Sequence, residues 1–600
     1  MLKEDIGNFV KYFEEHGRLE KGCNSSFITL IPKIKDPLKL GDYRPISLIE
    51  SLYKIISKIL ATRLKKVIGT NVNEVQSAYV QGRNIQDDPL IVNEICSWAK
   101  KTKNKLLLFK VDFDKAFDSV NWKYLDQIQE QMGYGDKWRM WIRGCLGSAR
   151  ASVLVNGSPT REFKMEKGVR QGDPLSPFLL ILAMEGLNVA MESVCDKGVF
   201  KGFKVPRENF TVSHIFYADD ALFIGEWNEQ NIKNLARILR CFHVASGLKV
   251  NFNKSRATPL GCEPSSLPFT YLGVPVGANM NLKKFWKPVI DKFQSKLSSW
   301  KAQNLSLGGR LTLTKNVLGS LPSYYFSLFV APVGVVNTLE KIRRNFLWGG
   351  LDEQKNIRWV AWNKVVVSKE NGGLGLGSLR AYNLAMIVKW WWRMRCNKSA
   401  MWSRVIIGIH NLKNKPPERM SMKSMVGVWN NIAGVQGELR KSGVELEDVM
   451  STEGVLKDRF HALYQLEKEK MCTVRDRIGT NGHTWNWRAD PTAGTQVSHF
   501  NELLHVVGIH QVTAGEDRWR CTSTDDGDYH VSMLRHMLDV PRQETQPSEV
   551  VKWTRDVPIK VMCFIWRAIQ GRIPTNSALG KRGIQIEDFD CGYCLQGVED

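Results

Sequence analysis

Two adjacent carboxylates, Asp219 and Asp220, stand inside the stretch His214-Ile215-Phe216-Tyr217-Ala218-Asp219-Asp220-Ala221-Leu222-Phe223-Ile224. Aromatic and β-branched residues on both sides predict a β-hairpin, with the acids where the chain reverses. Asp is a common turn former, and an isolated pair in a hairpin is ordinarily turn chemistry. Here the flanks are apolar enough to be buried, so the strands would hold two like charges at one place. Neighbouring carboxylates repel unless a cation lies between them. A rigid pair therefore points to a divalent metal with oxygen ligands. One pair rarely completes such a site, and a third acid is available upstream. Leu106 to Phe109 with Val111 predicts a central strand ending at Asp112, followed by irregular helical spacing through Ala116, Phe117, Val120, Trp122 and Leu125. Three carboxylates joined by a strand and a hairpin suit a pair of metal ions in phosphoryl or nucleotidyl transfer.

The elements that must position these acids lie in a long chain. Its 600 residues exceed one core, so several domains are expected. The 84 Lys and Arg against 61 Asp and Glu leave a formal charge of +23, which favours polyanion partners, nucleic acid first. Among the 12 cysteines only Cys591 and Cys594 are close together, which fits a reduced compartment. Met1 to Val10 carries three charges and no apolar core, so no signal peptide is expected there. The longest apolar run, Phe178 to Met184, is too short to span a bilayer. A soluble protein of the nucleus and/or cytoplasm, with no membrane partner, is the expectation.

Local patterns then place strands and helices. Phe27 to Lys33 reads as a strand, followed by a polar turn and a second extended piece over Asp42 to Leu48. Ile55, Ile56, Ile59, Leu60, Leu64, Val67 and Ile68 form a helical stripe with lysines and arginines largely off it. Ser176-Pro177 predicts a helix start, Ser as N-cap and Pro first, running from Phe178 to about Val194 and buried on most faces. Ile232, Leu235, Ile238, Leu239 and Phe242 predict an amphipathic helix stopped at Gly247. Strand, helix, hairpin, helix, strand is a ferredoxin-like arrangement. The stripe Phe285, Val289, Phe293, Leu297 and Trp300 reads as core, and Lys413 to Lys423 as a linker or exposed loop.

Three motifs in order carry a family resemblance: Asp112 with Phe117 five residues on, Gly168-Val169-Arg170-Gln171-Gly172-Asp173-Pro174-Leu175-Ser176-Pro177, and Tyr217-Ala218-Asp219-Asp220. Together the set resembles reverse transcriptases, in particular the polymerases of plant LINE-type retrotransposons, which lack long terminal repeats. The resemblance implies an α+β right-hand polymerase with fingers, a ferredoxin-like palm and a helical thumb, then a Trp-rich, mainly helical C-terminal region. Its divisions would be fingers 1–104, palm 105–275, thumb 276–350, a connection region 351–545 and a shortened zinc-binding region 546–600, with the reverse transcriptase domain at about 27–276.

The implied activity is RNA-directed DNA polymerase: nucleotidyl transfer from dNTPs onto the 3′-hydroxyl of a DNA primer or target, templated by RNA. Asp112, Asp219 and Asp220 would hold Mg²⁺, with Mn²⁺ as the alternative ion. Lys33, Arg44 and Lys254 match residues that hold the triphosphate, Gln171 lies near the sugar, and Phe117 packs beneath the ribose. Gln76 to Val80 and Gly82 to Ile85 match template-side fingers. Tyr271, Leu272 and Gly273 match the primer grip. Lys283, Lys284 and Lys287 belong to a basic thumb, with eleven Lys or Arg against Asp291 and Glu340 over residues 276–350. Trp359 to Trp362, Gly372 to Gly375 and Lys389 to Arg393 match sequence that follows the thumb, with no chemistry attached, and read as structural.

Cys591 and Cys594 match the start of a zinc-binding motif that in the family continues with a His and a Cys. Two thiolates are half a tetrahedral site, so weak or no zinc binding is expected. The absence of an endonuclease ahead of the polymerase and the shortened zinc region lead to the expectation of a fragment of an element or an incomplete gene model. The rival readings are a catalytically inactive nucleic-acid-binding remnant and a group II intron maturase-like protein. The Trp-rich region argues against the second.

Overall fold

The computed structural model describes residues 2–251, 256–260, 267–296, 304–349, 357–412, 427–444, 459–470, 472, 477–479, 482–492, 494–509, 521, 524–539, 550–554 and 556–586. They form two compact units, Met1–Ala278 with Ser399–Asn430, and Asn279–Lys398 with Asn431–Asp600.

The first unit holds the acids. Its central strand, Leu106–Val111, is an unbroken apolar run apart from Lys110, the pattern of a strand covered on both faces. It pairs antiparallel with Asp220–Glu226 on one side and with Arg256–Leu260 on the other, and His214–Tyr217 completes the sheet beyond Asp220–Glu226. Numbered along the chain, the four strands lie in the order fourth, first, third, second. Helices connect the first strand to the second and the third to the fourth. A second sheet runs Tyr43–Ile49, Ser25–Pro32, Arg150–Val155, with Ser25–Pro32 antiparallel to the first and parallel to the last.

Helix Ser176–Asp196 lies at the centre of the core. Leu180, Ile181, Leu182, Ala183, Met184 and Leu187 are fully buried, in one cluster with Val111, Phe216, Ala221, Phe223, Leu235 and Leu239. Over its 21 residues this helix is apolar enough by composition to cross a membrane, although no run within it is long, because Glu185, Gly186 and Asn188 interrupt the apolar stretch. Its burial inside the unit accounts for that composition. The helix starts one residue earlier than Ser176-Pro177 predicts: Leu175 is the N-cap, and the Asp173 carboxylate accepts the Leu175 amide at 3.0 Å. Pro177 is tolerated at the second position because its missing N–H is one the first turn leaves unpaired. Helix Glu229–Ser246 ends as predicted on Gly247, whose φ of 80° closes the last turn.

His214 in the second strand is an internal, neutral histidine. Its Nδ1 lies 2.8 Å from Ser213 Oγ and its Nε2 2.9 Å from Asn188 Oδ1; with an amide oxygen as acceptor, the ring proton sits on Nε2. Burial lowers its pKa from 6.5 to about 3. The unfolded chain therefore takes up a proton below pH 6.5 that the folded chain refuses until about pH 3. Stability present above that window falls as pH drops through it, by about 1.4 kcal/mol per pH unit from this ring. Urea unfolding should show this component in the wild type and lose it in His214→Gln; equal pH slopes in the two proteins would contradict the assignment.

In the second unit, helices Val333–Leu347, Leu379–Cys396 and Ile559–Ile569 enclose a tryptophan-rich core. Trp390, Trp391 and Trp392 are all buried, with the first two indoles donating to the carbonyls of Ser327 and Ile432. Trp566 donates to the Gly372 carbonyl at 2.8 Å. Val289 and Phe293 of the predicted stripe are core; Leu297 and Trp300 lie outside the described residues.

Candidate active site

The hairpin turns over Ala218 and Asp219, with Tyr217 paired to Asp220. Ala218 takes φ of 55°, the left-handed region, which costs an alanine roughly 1–2 kcal/mol. The conformation is clamped from outside the hairpin. Gln76, 1% exposed, accepts the Ala218 N–H on Oε1 at 2.9 Å and directs Nε2 to the Ala218 carbonyl at 3.4 Å. The chain around Gln76 is itself zipped to the hairpin's outer strand, through Phe216 N–H to Val75 O and Ser77 N–H to Phe216 O. A strained residue held by surrounding structure is a mark of a functional site. Here the strain fixes where Asp219 projects.

Asp112 follows the central strand, which runs beside Asp220–Glu226 with Val111 opposite Ala221. Its carbonyl accepts the Asn251 amide at 2.8 Å, and the Asp114 amide donates to Lys249 O at the same distance. Burial pushes the Asp219 carboxyl above its usual range; its own backbone N–H opposes this, the charges of Asp220 and Asp112 add to it, and Arg44 opposes it. The acids thus act on one another as a group. Asp220 also lies 3.5 Å from Lys110 Nζ, a partly exposed pair that contributes little to stability. Among the described residues no three His, Cys, Asp or Glu side chains form a ready-made cage for a metal ion. Magnesium commonly takes one or two carboxylates and completes its six ligands with substrate phosphate and water, so the donor set fits that ion.

Of two cations at the second sheet, one is felt at Asp219 and the other at Asp118. Lys33 lies just beyond strand Ser25–Pro32 and Arg44 lies on strand Tyr43–Ile49; both are exposed. Arg44 is felt at Asp219. Lys33 donates to Gly41 O at 3.0 Å and is felt at Asp118, whose carboxyl burial raises while Lys115 and Lys33 lower it.

The Gly168–Leu175 loop is stitched between these parts. Val169 N–H donates to Phe117 O at 2.6 Å and Ser47 N–H to Gln171 O at 2.8 Å. Gly168 has φ of 78°, and a Cβ there would lie 2.6 Å from the Asp118 backbone, so only glycine lets the loop come so near. Buried Asp173 anchors the loop by accepting from Tyr53 Oη at 2.7 Å and from Ser57 Oγ. Phe117 and Gln171, both half-buried, thus lie on segments that are tied together at Val169.

Tyr271, Leu272 and Gly273 make a tight hairpin between Phe269–Tyr271 and Val274–Val276, with positive φ at Leu272 and Gly273. The chain just beyond it is held by the Asn93 side chain, which accepts the Gly277 amide at 2.9 Å. Lys283, Lys284 and Lys287 are exposed on the second unit, and Lys287 pairs with Asp291 at 2.9 Å. Lys254, Cys591 and Cys594 lie outside the described residues. Gln76 entered the reading only as part of a template-side motif, and Asp173, Tyr53 and Ser57 carried no assigned task. Nothing local marks their roles, because each acts across more than a hundred residues of chain.

Residues 31–276 match the family model for reverse transcriptase (RNA-dependent DNA polymerase), and residues 529–600 the model for zinc-binding in reverse transcriptase. A putative ribonuclease H protein of Arabidopsis thaliana is 28% identical over 339 residues, 52% of this chain and 52% of that protein. A retrovirus-related Pol polyprotein from the type-1 retrotransposable element R2 of Popillia japonica is 26% identical over 268 residues, 44% of this chain and 36% of that protein. The chain therefore spans about half or less of the relatives it matches. A solved telomerase of Candida tropicalis aligns over 69% of this chain and 68% of its own, at 14% identity and a TM-score of 0.34. Residues 31–276 thus form a reverse transcriptase (RNA-dependent DNA polymerase) domain, and residues 529–600 a reverse-transcriptase zinc-binding region.

Proposed function

We propose that this chain copies RNA into DNA for a LINE-type retrotransposon, adding dNTPs to a primer 3′-hydroxyl. The observation that carries the reading is the placement of Asp112 at the end of the central strand beside the hairpin that holds Asp219 and Asp220, with Val111 opposite Ala221 and Tyr217 opposite Asp220, inside a segment of the reverse transcriptase family. In this reading the four-stranded sheet is the ferredoxin-like palm, residues 1–104 supply the fingers and 276–350 the thumb. Asp112 and Asp219 would hold Mg²⁺, with Asp220 beside them. Of a pair of such ions, one would supply acidity at the primer hydroxyl and the other neutralisation of charge on the departing pyrophosphate.

The protein's own residues do the positioning. Arg44 and Lys33, set beside Asp219 and Asp118, supply fixed positive charge for a triphosphate. The Phe117 ring and the Gly168–Leu175 loop, tied together at Val169, form the floor and side of a sugar pocket, with Gln171 facing it. Purified full-length protein tested with oligo(dT)-primed RNA, dNTPs and Mg²⁺ would show template-dependent extension; binding of RNA with no extension under any divalent ion would favour the inactive remnant.

The Gln76 clamp carries its own expected result. Gln76→Ala removes both hydrogen bonds to Ala218 and lets the turn relax, which moves the Asp219 carboxylate. A displacement of about 1 Å at a reacting centre costs on the order of 10²-fold. Single-turnover rates should fall by that amount with KM for dNTP nearly unchanged, while the melting temperature shows the protein folded. An unaltered rate constant would remove Gln76 from the site.

A further inference from the structure

The second unit carries a cation-lined cavity that the polymerase reading leaves without a task. It has a volume of about 400 Å³, and Arg344, Arg358, Lys364, Arg572 and Arg582 make up half of its ten lining residues, with Trp359 in its wall and no Asp or Glu among them. An adjoining cavity of about 420 Å³ shares Trp359, Arg572 and Arg582 and adds Lys581. Chain segments more than two hundred residues apart build the wall together. Arg582 donates to the carbonyls of Arg358 and Trp359 at 3.0 and 3.2 Å. Its guanidinium and that of Arg567 each lie 4.9 Å from the centre of the Trp359 ring. Arg582 is thus held in place before any ligand arrives.

This arrangement, among the described residues, is short of negative charge. Among the described residues none of Arg344, Arg358, Lys364, Arg567, Arg572, Lys581 or Arg582 forms an ion pair with a carboxylate. Arg344 Nε and Arg567 Nη2 are buried with no hydrogen-bond partner among those residues, and a buried donor left unmade is costly. Burial, then the neighbouring Arg358, lowers the Arg344 guanidinium below its usual range, with Glu340 opposing. Several fixed guanidinium groups around an open cavity match an anion with many oxygens, and guanidinium suits phosphate because its paired N–H groups meet two oxygens at once. Two adjoining basic cavities suit successive phosphates of one strand better than a single small anion.

We propose that Arg344, Arg358, Lys364, Arg572 and Arg582 form a binding site for the phosphodiester backbone of a nucleic-acid strand, separate from the polymerase residues of the first unit. The site reads no sequence, since it offers cations and two tryptophans, Trp359 already flanked by arginines and Trp362 donating to Glu340 at 3.0 Å. It stands whether or not the polymerase is active.

The test uses the full chain carrying Asp219→Asn, so that no extension alters the probe, and labelled single-stranded RNA and DNA of mixed sequence. Binding is titrated over a range of KCl concentrations. Arg358→Ala with Arg572→Ala should weaken binding on every sequence alike and lower the log–log salt slope by about 1.4, at ~0.7 per lost phosphate contact on a single strand. Arg358→Lys with Arg572→Lys keeps the charge and should recover most of the slope, which separates a phosphate contact from a folding defect. Inorganic phosphate should compete only weakly. An unchanged slope in the alanine pair overturns the proposal, as does a loss that the lysine pair fails to recover. So does phosphate competing as well as the oligonucleotide, which would make the cavity a small-anion site. Loss of primer extension by the protein with Asp219 intact bears on the polymerase reading alone, because none of these binding outcomes depends on turnover.

Discussion

Asp219→Asn should lower primer extension by on the order of 10⁴-fold while the protein remains folded and still binds primed RNA. The magnitude follows from residues that act as one unit, where losing a single member removes most of what the unit does. The geometry gives the reason. Asp219 sits at a turn that Gln76 clamps in a strained conformation, and its carboxyl is raised by burial with Asp220 and Asp112 adding to the shift. An acid whose folded pKa is raised is easier to fold when neutral. The amide should therefore leave the melting temperature at neutral pH equal or higher. Rapid-quench rates with wild-type and variant protein, with circular dichroism on both, make the comparison. A variant that extends primers at the wild-type rate would remove Asp219 from the chemistry, and one that unfolds would contradict the electrostatic account.

Phe117→Ala should admit ribonucleotides. The ring follows Asp112 by five residues and lies half-buried, packed against the main core, with its carbonyl accepting the Val169 amide of the Gln171 loop. A flat aromatic under the sugar leaves room for C2′-H₂ and none for a 2′-hydroxyl. It also denies that hydroxyl a partner once water is excluded. Removing it should narrow the preference for dGTP over GTP, read as kcat/KM, by on the order of 10²-fold, with dGTP turnover falling much less. If Phe117 were only a core side chain, the same change would leave the preference untouched. It would cost up to about 3–5 kcal/mol, the range for deleting a fully buried aromatic. The main-chain bond to Val169 survives in either case, so the two readings separate on the ratio.

How far the sequence disclosed this site depended on distance along the chain. The hairpin acids and the strand ending at Asp112 were legible because period-two and unbroken apolar patterns are local. The stop at Gly247 was legible because a left-handed cap favours glycine. The start of helix Ser176–Asp196 moved by one residue because Asp173, a buried acid shared with Tyr53 and Ser57, accepts the Leu175 amide. That competition is a tertiary effect which a Ser-Pro pattern does not contain. The Gln76 clamp joins residues 142 apart, and the basic cavity joins Arg358 to Arg582. Neither pairing leaves a periodic trace. The structural reading of the Trp-rich segments holds at Trp390, Trp391 and Trp566, which are buried and donate to carbonyls.

The most direct measurement is synthesis itself: the purified chain, a poly(A) template with an oligo(dT) primer, labelled dTTP and Mg²⁺, with products resolved by length. The account predicts a ladder extending from the primer that requires template and divalent ion and vanishes in Asp219→Asn. A folded protein that binds the primed template and yields no ladder with Mg²⁺ or Mn²⁺ would contradict it.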